Sequence, residues 1–297
     1  MRLLVFLVAA AAALAQNAPQ GVPENALMRI SEHVHAIIGF PNIAIVSGAR
    51  ATLVVDTGMG QRNGAVIVRE VSKLSHTAVL YLTTTHFHPE HATGEQAFPA
   101  STVLIRPSAQ QRELEKRGQE FIEMFSSRSE QNKELLKDVH LRKPDIVFEK
   151  EAKLDLGGVT ARLMWLGPAH TIGDEIIFVE GDSVLIPGDI VQNKLVPNMP
   201  NSDANVKNWL AILDQLAALK PHYIVPDHGA LGDGSLITQE KAFLGALQQR
   251  ALELKRAGTL VEQAAQTLTA EFKTKYPDWQ NMNPVGNVVR RVYEEAQ

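Results

Sequence analysis

The stretch from Thr84 to His91 reads Thr-Thr-His-Phe-His-Pro-Glu-His, and it directly follows the hydrophobic run Val79–Thr83. Three imidazoles and one carboxylate therefore fall within six positions at the end of a predicted strand. Unpaired polar side chains are costly to bury, so core packing is a poor explanation for such a cluster. A strand that opens into a loop can aim these side chains into one cleft, and the pattern predicts a metal site there.

Three further candidate site residues follow, and each lies at the end of a β-rich run. His170 is in the sequence Gly-Pro-Ala-His-Thr, and Asp189 follows the pair Pro-Gly. His228 is in the sequence Pro-Asp-His-Gly, directly after the short apolar run Tyr223–Val225. Since loops that follow strands carry many binding and catalytic groups, we interpret all three as candidate functional residues.

The composition is typical of a globular protein that acts on small molecules. The chain has 297 residues, 45% of them hydrophobic, which is enough for one large domain. Its formal net charge is -4, so it has no basic excess to neutralise phosphates, and a nucleic-acid partner is not expected. A small-molecule substrate is the simpler expectation. The chain contains no cysteine, so a metal site must use histidine and carboxylate ligands.

Residues 1–15 have the pattern of a secretory signal peptide. Arg2 gives a positive start, Leu3–Leu14 is an apolar run, and Ala13-Leu14-Ala15 fits a cleavage site. This pattern predicts a periplasmic or secreted protein. The apolar run is too short to span a bilayer comfortably, so no stable membrane span is expected after cleavage. Residues 16–27, which contain two prolines and several amides, are predicted to be a linker.

The first half of the chain alternates between β-rich runs and helical patterns. Residues 29–38, 43–47 and 52–55 are predicted to form an antiparallel meander, and residues 64–74 have helical spacing. Residues 107–145 are predicted to be an insert of one or two surface helices, separated near Gly118 or at the pair Ser126-Ser127.

The second half has the same character. An amphipathic helix is predicted over residues 205–219, with Asp203 as its N-cap, and the pattern is helical from residue 235 onward. Two β-rich halves with intervening helices predict two stacked sheets that helices cover on the outside. The predicted strands of this half are residues 146–149, 152–156, 159–166, 175–179, 183–187 and 223–225.

Taken together, the four motifs resemble those of the metallo-β-lactamase superfamily. Its signature is His-x-His-x-Asp-His, then a glycine-rich turn that ends in His-Thr, then Gly-Asp, and finally a Gly-His-Gly-like turn. The match covers roughly Met28 to Gly229, and four ordered motifs in one chain are a strong signal. The resemblance implies an α/β (α+β) fold, the four-layer αββα sandwich, over residues 28–234. The C-terminal helices, residues 235–297, are expected to pack on it.

The resemblance also implies a binuclear metal centre. His86, His88 and His170 correspond to the ligands of the first metal ion. The donors are nitrogen and oxygen only, which suits zinc, and also iron or manganese. The implied chemistry is hydrolysis of a small-molecule ester, lactone, amide or related bond by a metal-bound hydroxide. The residues that correspond to the second site are His91 and His228, with Asp189 bridging the two ions.

One position departs from the family pattern, because Glu90 stands where aspartate is usual. The extra methylene moves the carboxylate outward by about 1.5 Å, the length of a C–C bond, and metal–ligand distances tolerate little error. Two roles are therefore open to Glu90, as a ligand of the second metal or as a group that orients the attacking water. Glu90 and Asp189 are the candidate catalytic residues. Asp56, at a predicted strand end, resembles a family residue that supports the metal loop.

Three functions remain open from the sequence. A small-molecule hydrolase is the first choice. A β-lactamase would fit export and the additional His91, although the histidine-rich lactamases generally lack the bridging aspartate that Asp189 supplies here. A non-catalytic metal-binding protein would fit the replacement at Glu90. An oligomer contact through the C-terminal helices would require an exposed apolar face there.

Overall fold

Two β-sheets lie at the centre of the fold in the computed structural model, which describes residues 21–74, 77, 79–199 and 203–296. The first sheet contains the strands β1 (Leu27–Arg29), β2 (Val34–Ile37), β3 (Ile43–Ser47), β4 (Ala51–Val55), β5 (Val79–Thr83), β6 (Val103–Pro107) and β7 (Ile146–Phe148). These strands pair in chain order. The pairs from β1 to β4 are antiparallel, as the predicted meander requires, and those from β4 to β7 are parallel.

The second sheet is built from the later strands, in the spatial order β12-β11-β10-β9-β8. The strands are β8 (Glu151–Asp155), β9 (Thr160–Trp165), β10 (Glu175–Glu180), β11 (Val184–Ile186) and β12 (Tyr223–Ile224). Their pairing is antiparallel except between β11 and β12, which run parallel. The predicted strands of this half therefore agree with the structure, apart from shifts of one or two residues at their ends.

Helices pack around the two sheets. They are α1 (Gly60–Leu74), α2 (Pro89–Ala92), α3 (Ser108–Ser126), α4 (Glu130–Leu135), α5 (Val206–Ala218), α6 (Ser235–Arg256), α7 (Val261–Lys275) and α8 (Val285–Glu295). None of the helices within the described ranges combines the length and the apolar character needed to cross a bilayer. The predicted signal peptide, residues 1–15, lies outside the described residues, as does the linker up to residue 20.

Alternating side chains on the strands produce separate buried clusters. On β3, Ala44 and Val46 face the space between the sheets, where they meet Leu163 and Ile177 of the second sheet. Ile43 and Ile45 of the same strand face α1. This period of two buries both faces of a central strand. The outer face of the second sheet packs against α5 to α8. The architecture is thus the four-layer αββα sandwich that the sequence predicted.

The C-terminal helices bury their apolar faces against the second sheet. The stripe of α8, which includes Val285, Val289 and Val292, is at most 2% exposed and lies in the same cluster as Trp209. Among the described large hydrophobic residues of this segment, Leu260 is strongly exposed, at 68%. The apolar face that would indicate an oligomer contact is therefore covered from within the chain.

The break in the helical insert lies at the second of its two predicted positions, since α3 ends at Ser126 and not at Gly118. The Ser129 side chain then caps α4 by accepting a hydrogen bond from the Asn132 backbone N–H. The N-cap of α5 is Asn205 and not Asp203, since the Asn205 side chain accepts from the Asn208 N–H at 2.7 Å. Asp203 instead pairs with Arg117 at 2.7 Å.

A buried ion pair fixes the chain where it leaves the histidine-rich loop. Arg106 at the end of β6 and Glu95, just after that loop, are both fully buried, and their closest nitrogen and oxygen atoms are 2.8 Å apart. Arg106 also donates to the side chain of Gln110, which in turn donates to the Thr84 carbonyl at 2.7 Å. The loop is thereby tied to both β6 and α3.

We expect Arg106→Ala to lower the free energy of unfolding by about 3–5 kcal/mol, because it leaves the Glu95 carboxylate buried without its partner. Urea denaturation of the purified chain measures this loss. The matched control is Arg162→Ala, whose pair with Glu151 is partly exposed and should contribute less than about 1 kcal/mol. Equal losses in the two variants would contradict the role given to the buried pair.

Candidate metal centre

Loops at the ends of strands from both sheets bring the predicted site residues together. The loop after β5 carries His86 and His88, and its continuation into α2 carries Glu90 and His91. The second sheet contributes the remaining three side chains, which follow β9, β11 and β12 respectively: His170, Asp189 and His228. All seven lie in one cluster, which spans the edge where the two sheets meet.

The first group of candidate ligands consists of His86, His88 and His170, each at most 4% exposed. The Nδ1 atom of His88 lies 3.0 Å from Nε2 of His86 and 3.3 Å from Nε2 of His170. Tetrahedral metal–nitrogen bonds of about 2.0–2.1 Å place two ligand nitrogens roughly 3.3 Å apart. The three imidazoles therefore have the spacing that one metal ion requires.

Burial keeps the imidazoles of His86 and His88 in the neutral form, which is the form that binds metals. Desolvation, together with the neighbouring imidazoles, holds the pKa of His86 and of His88 well below the ordinary value. Burial also lowers the pKa of His228 to about 4, against the opposing charge of Asp189. A neutral imidazole has a free lone pair, which a metal ion needs.

The second group consists of Glu90, His91 and His228, whose donor atoms all lie within 4.8 Å of one another. Nε2 of His91 and Oε2 of Glu90 are buried and have no hydrogen-bond partner among the described residues. Buried polar atoms normally have partners, so these two fit a site that holds a positive ion. The sequence left the role of Glu90 open. In the structure its carboxylate lies with His91 and His228, where a role as ligand is compatible with the geometry.

Asp189 lies between the two groups. Its Oδ2 atom is 3.4 Å from Nε2 of His170, and its Oδ1 atom is 3.4 Å from Nε2 of His228. One carboxylate therefore contacts a member of each ligand group, which is the geometry that a bridging ligand needs. Asp189 and His228 are also the more open side of the centre, with 11% and 12% of their side chains exposed.

Two buried aspartates support the second group from behind. Asp56 Oδ2 lies 3.0 Å from His91 Nδ1, and its Oδ1 accepts from the Thr85 backbone N–H at 2.7 Å. Burial acts to lower the pKa of His91, but the charge of Asp56 and the hydrogen bond to it outweigh burial and raise that pKa to about 10. Carboxylates that hold the far nitrogen of a ligand imidazole fix its orientation and increase its basicity.

Asp227 belongs to the same support. It accepts a hydrogen bond from the Thr85 hydroxyl at 2.6 Å and lies 3.3 Å from His91 Nδ1. His86, His91 and Asp227 also lie close enough together to bind an ion. Asp227 contacts His91 through Nδ1, the nitrogen that Asp56 also engages, so we assign Asp227 to the support and not to the candidate ligands. The sequence interpretation likewise did not count Asp227 among the ligands.

Other supporting residues gave no recognisable signal in the sequence. The Asp174 carboxylate accepts from the Thr171 backbone N–H and hydroxyl, and so holds the turn that presents His170. The Asn42 side chain donates to the carbonyls of Pro226 and Gly229, and so holds the turn around His228. In the sequence alone, Asn42 and Asp174 have the pattern of ordinary turn residues.

The insert forms an apolar wall beside the first ligand group. Phe121 of α3 stacks on His88, with ring centroids 4.9 Å apart and planes inclined by 12°. Phe125, one turn later, lies 6.2 Å from the same imidazole. The predicted surface helices are therefore exposed on one side only, because the opposite side of α3 packs against the histidine-rich loop.

Comparisons with known proteins agree with this architecture. Residues 37–228 match the sequence model of the metallo-beta-lactamase superfamily. A linear primary-alkylsulfatase from Pseudomonas sp. (strain ATCC 19151) is 21% identical over 215 residues, in a match that covers 62% of this chain and 40% of the relative. The chain thus spans about two fifths of the length of that curated relative.

Solved structures with the same fold include enzymes of two kinds. A metallo-beta-lactamase from Pontibacter korlensis has a TM-score of 0.59 at 19% identity, over 74% of this chain and 98% of that one. The inverting sec-alkylsulfatase Pisa1 from Pseudomonas sp. has a TM-score of 0.69 at 13% identity, over 91% of this chain and 50% of that one. At such identities the likeness is one of fold. With the family match over most of its length and the four-layer sandwich, the chain belongs to the metallo-beta-lactamase superfamily.

Proposed function

We propose that this chain is an exported, two-metal hydrolase that cleaves an ester-type bond in a small molecule. The observation that carries the proposal is the pair of ligand groups connected by Asp189, which contacts His170 on one side and His228 on the other. The pattern of residues 1–15 supports export. The nitrogen and oxygen donor set supports zinc first, with iron or manganese as alternatives.

The residues of the centre have separate roles in the proposed hydrolysis. Bound metal ions would polarise the scissile group as Lewis acids and would lower the pKa of a water molecule. His86, His88 and His170 would hold one ion, and Glu90, His91 and His228 would hold the other. Asp189 Oδ1, buried and without a hydrogen-bond partner among the described residues, orients the attacking water and accepts its proton.

The surroundings of the centre serve the reaction by excluding bulk water and by fixing orientation. The three imidazoles of the first group are nearly fully buried, so charges that develop between the ligands act in a medium of low dielectric constant. Asp56 and Asp174 keep the ligand loops in place through their hydrogen bonds. Such fixed groups do not have to reorganise during the reaction.

An alkyl sulfate ester is the more specific substrate that the geometry favours. Phe121 and Phe125 give the site an apolar wall directly beside His88, which suits an alkyl chain. The match to the sec-alkylsulfatase extends over 91% of this chain, whereas the lactamase from Pontibacter korlensis matches 74%. A β-lactam is the second candidate, and Asp189 disfavours it because the histidine-rich lactamases generally lack that bridging aspartate.

The double variant His86→Ala, His88→Ala should lose the first metal ion and reduce turnover to background, because it removes two of three nitrogen donors. Metal content by mass spectrometry and hydrolysis of p-nitrophenyl esters and sulfates measure the two effects. The control is His222→Ala, since His222 is exposed and lies outside the cluster. Full activity in the double variant would refute the proposed function. Stable metal binding by the wild type, with no turnover of any substrate, would favour a non-catalytic metal-binding protein.

Glu90→Gln should weaken the second metal ion while leaving the first in place. We expect the affinity for the second ion to fall by more than the roughly 10–100-fold that follows removal of a hydrogen-bond partner of a ligand. The reason is that an amide is a poorer ligand than a carboxylate. Isothermal titration calorimetry with zinc resolves the two binding steps. Glu90→Asp is the conservative comparison and should retain more of the second step. Two unchanged steps in Glu90→Gln would show that Glu90 is not a ligand.

Among test substrates, a medium-chain alkyl sulfate should be cleaved with a higher kcat/KM than nitrocefin. Phe121→Ala should raise the KM for the alkyl sulfate, because it removes the apolar surface beside His88, and should change the KM for short p-nitrophenyl acetate little. Faster cleavage of nitrocefin than of every ester would favour the β-lactamase instead.

A further inference from the structure

Arg128 is an unpaired cation close to the metal centre. It follows the C-terminal end of α3 and is exposed. Its guanidinium carbon lies 3.6 Å from the centroid of the Phe125 ring, so the planar group stacks on the same apolar wall that contacts His88. No acidic side chain in the part of the chain that the structure describes forms an ion pair with it.

Arg128 is close to the metal centre through Phe125. The centroid of the Phe125 ring lies 6.2 Å from that of the His88 imidazole and 3.6 Å from the guanidinium carbon of Arg128. Arg128 therefore lies on the rim of the centre, within the range over which two charges interact appreciably.

Ordinary structural roles do not account for this arginine. The nearest carboxylates in sequence are engaged elsewhere, since Glu123 accepts from Gln119 and Glu130 pairs with Lys133. A cation at the end of a helix interacts favourably with the helix dipole, but a lysine would serve that purpose equally well. Stacking on Phe125 holds the guanidinium flat and leaves its N–H donors free for another group.

We propose that Arg128 recognises an oxyanion, a carboxylate or a sulfate, on the substrate and so selects anionic substrates for the metal centre. A guanidinium presents parallel N–H donors that match the two oxygens of such a group. Glu90 is the nearest competitor for these donors, but its carboxylate lies with His91 and His228 in the second ligand group. This inference rests on the proposed hydrolase function.

The test compares two esters of equal chain length, mono-p-nitrophenyl glutarate and p-nitrophenyl valerate, which differ in a terminal carboxylate. In Arg128→Met, the KM for the glutarate ester should rise about 10-fold or more, as expected for loss of a hydrogen bond to a charged group, whereas the KM for the valerate ester should not change. Arg128→Lys should restore only part of the loss. p-Nitrophenyl sulfate forms a third arm, in which the oxyanion belongs to the reacting group.

Arg256→Met is the matched control, because Arg256 is exposed at the end of α6, away from the centre. Equal changes on both esters in Arg128→Met, or the same change in Arg256→Met, would overturn the inference. An effect on the sulfate alone would assign Arg128 to the reacting group, and an effect on the glutarate ester alone would assign it to a distant carboxylate. Unchanged thermal unfolding shows that Arg128→Met is folded.

Failure of the proposed function is distinguishable from failure of this inference. If the metal-loaded wild type cleaves none of the esters or the sulfate, the hydrolase proposal fails on its own. Binding of monomethyl glutarate, measured by calorimetry, then tests Arg128 without turnover. Weaker binding by Arg128→Met than by the wild type would still support oxyanion recognition, and equal binding would overturn it.

Discussion

One buried carboxylate determines the geometry of the whole centre. Asp56, where β4 ends, accepts a hydrogen bond from the backbone of Thr85, where β5 ends, and it holds Nδ1 of His91. It therefore connects the ends of two neighbouring parallel strands and orients an imidazole at the same time. Its backbone has a φ of 70°, a left-handed conformation that is uncommon outside glycine but more accessible to aspartate than to most residues. Asp227 contacts the same two residues, Thr85 and His91.

The sequence alone was sufficient for those features that rest on local patterns. The spacing of His86, His88 and His91 after an apolar run predicted a cluster at a strand end, and the structure brings these side chains together. The order of the later motifs predicted that His170, Asp189 and His228 would join them, and they do. The two β-rich halves with intervening helices predicted two stacked sheets. In the structure, alternate side chains of β3 face the two layers on either side of it.

What the sequence could not predict depends on partners that are far apart along the chain. Asp203 has the right residue type for an N-cap, but a salt bridge to Arg117 competes for its carboxylate and Asn205 caps the helix instead. The insert is rich in charged residues, and nothing in its pattern indicated that Phe121 would stack on His88. Whether Glu90 reaches the second ligand group likewise depends on the position of the loop and not on the length of the side chain alone.

The origin of the ligands on both sheets has a consequence for the lifetime of the protein. His88 and His170 come from different layers, so an ion held between them would fasten one sheet to the other. A ligand that binds only the folded chain stabilises it by about 2.7 kcal/mol at one hundred times its Kd. Several buried polar atoms at this seam have no partner among the described residues, and an unpaired buried polar atom carries a desolvation penalty. Metal supply would then affect how fast the chain is lost to unfolding and proteolysis. Scarcity of the ion would reduce the amount of protein as well as its catalytic activity.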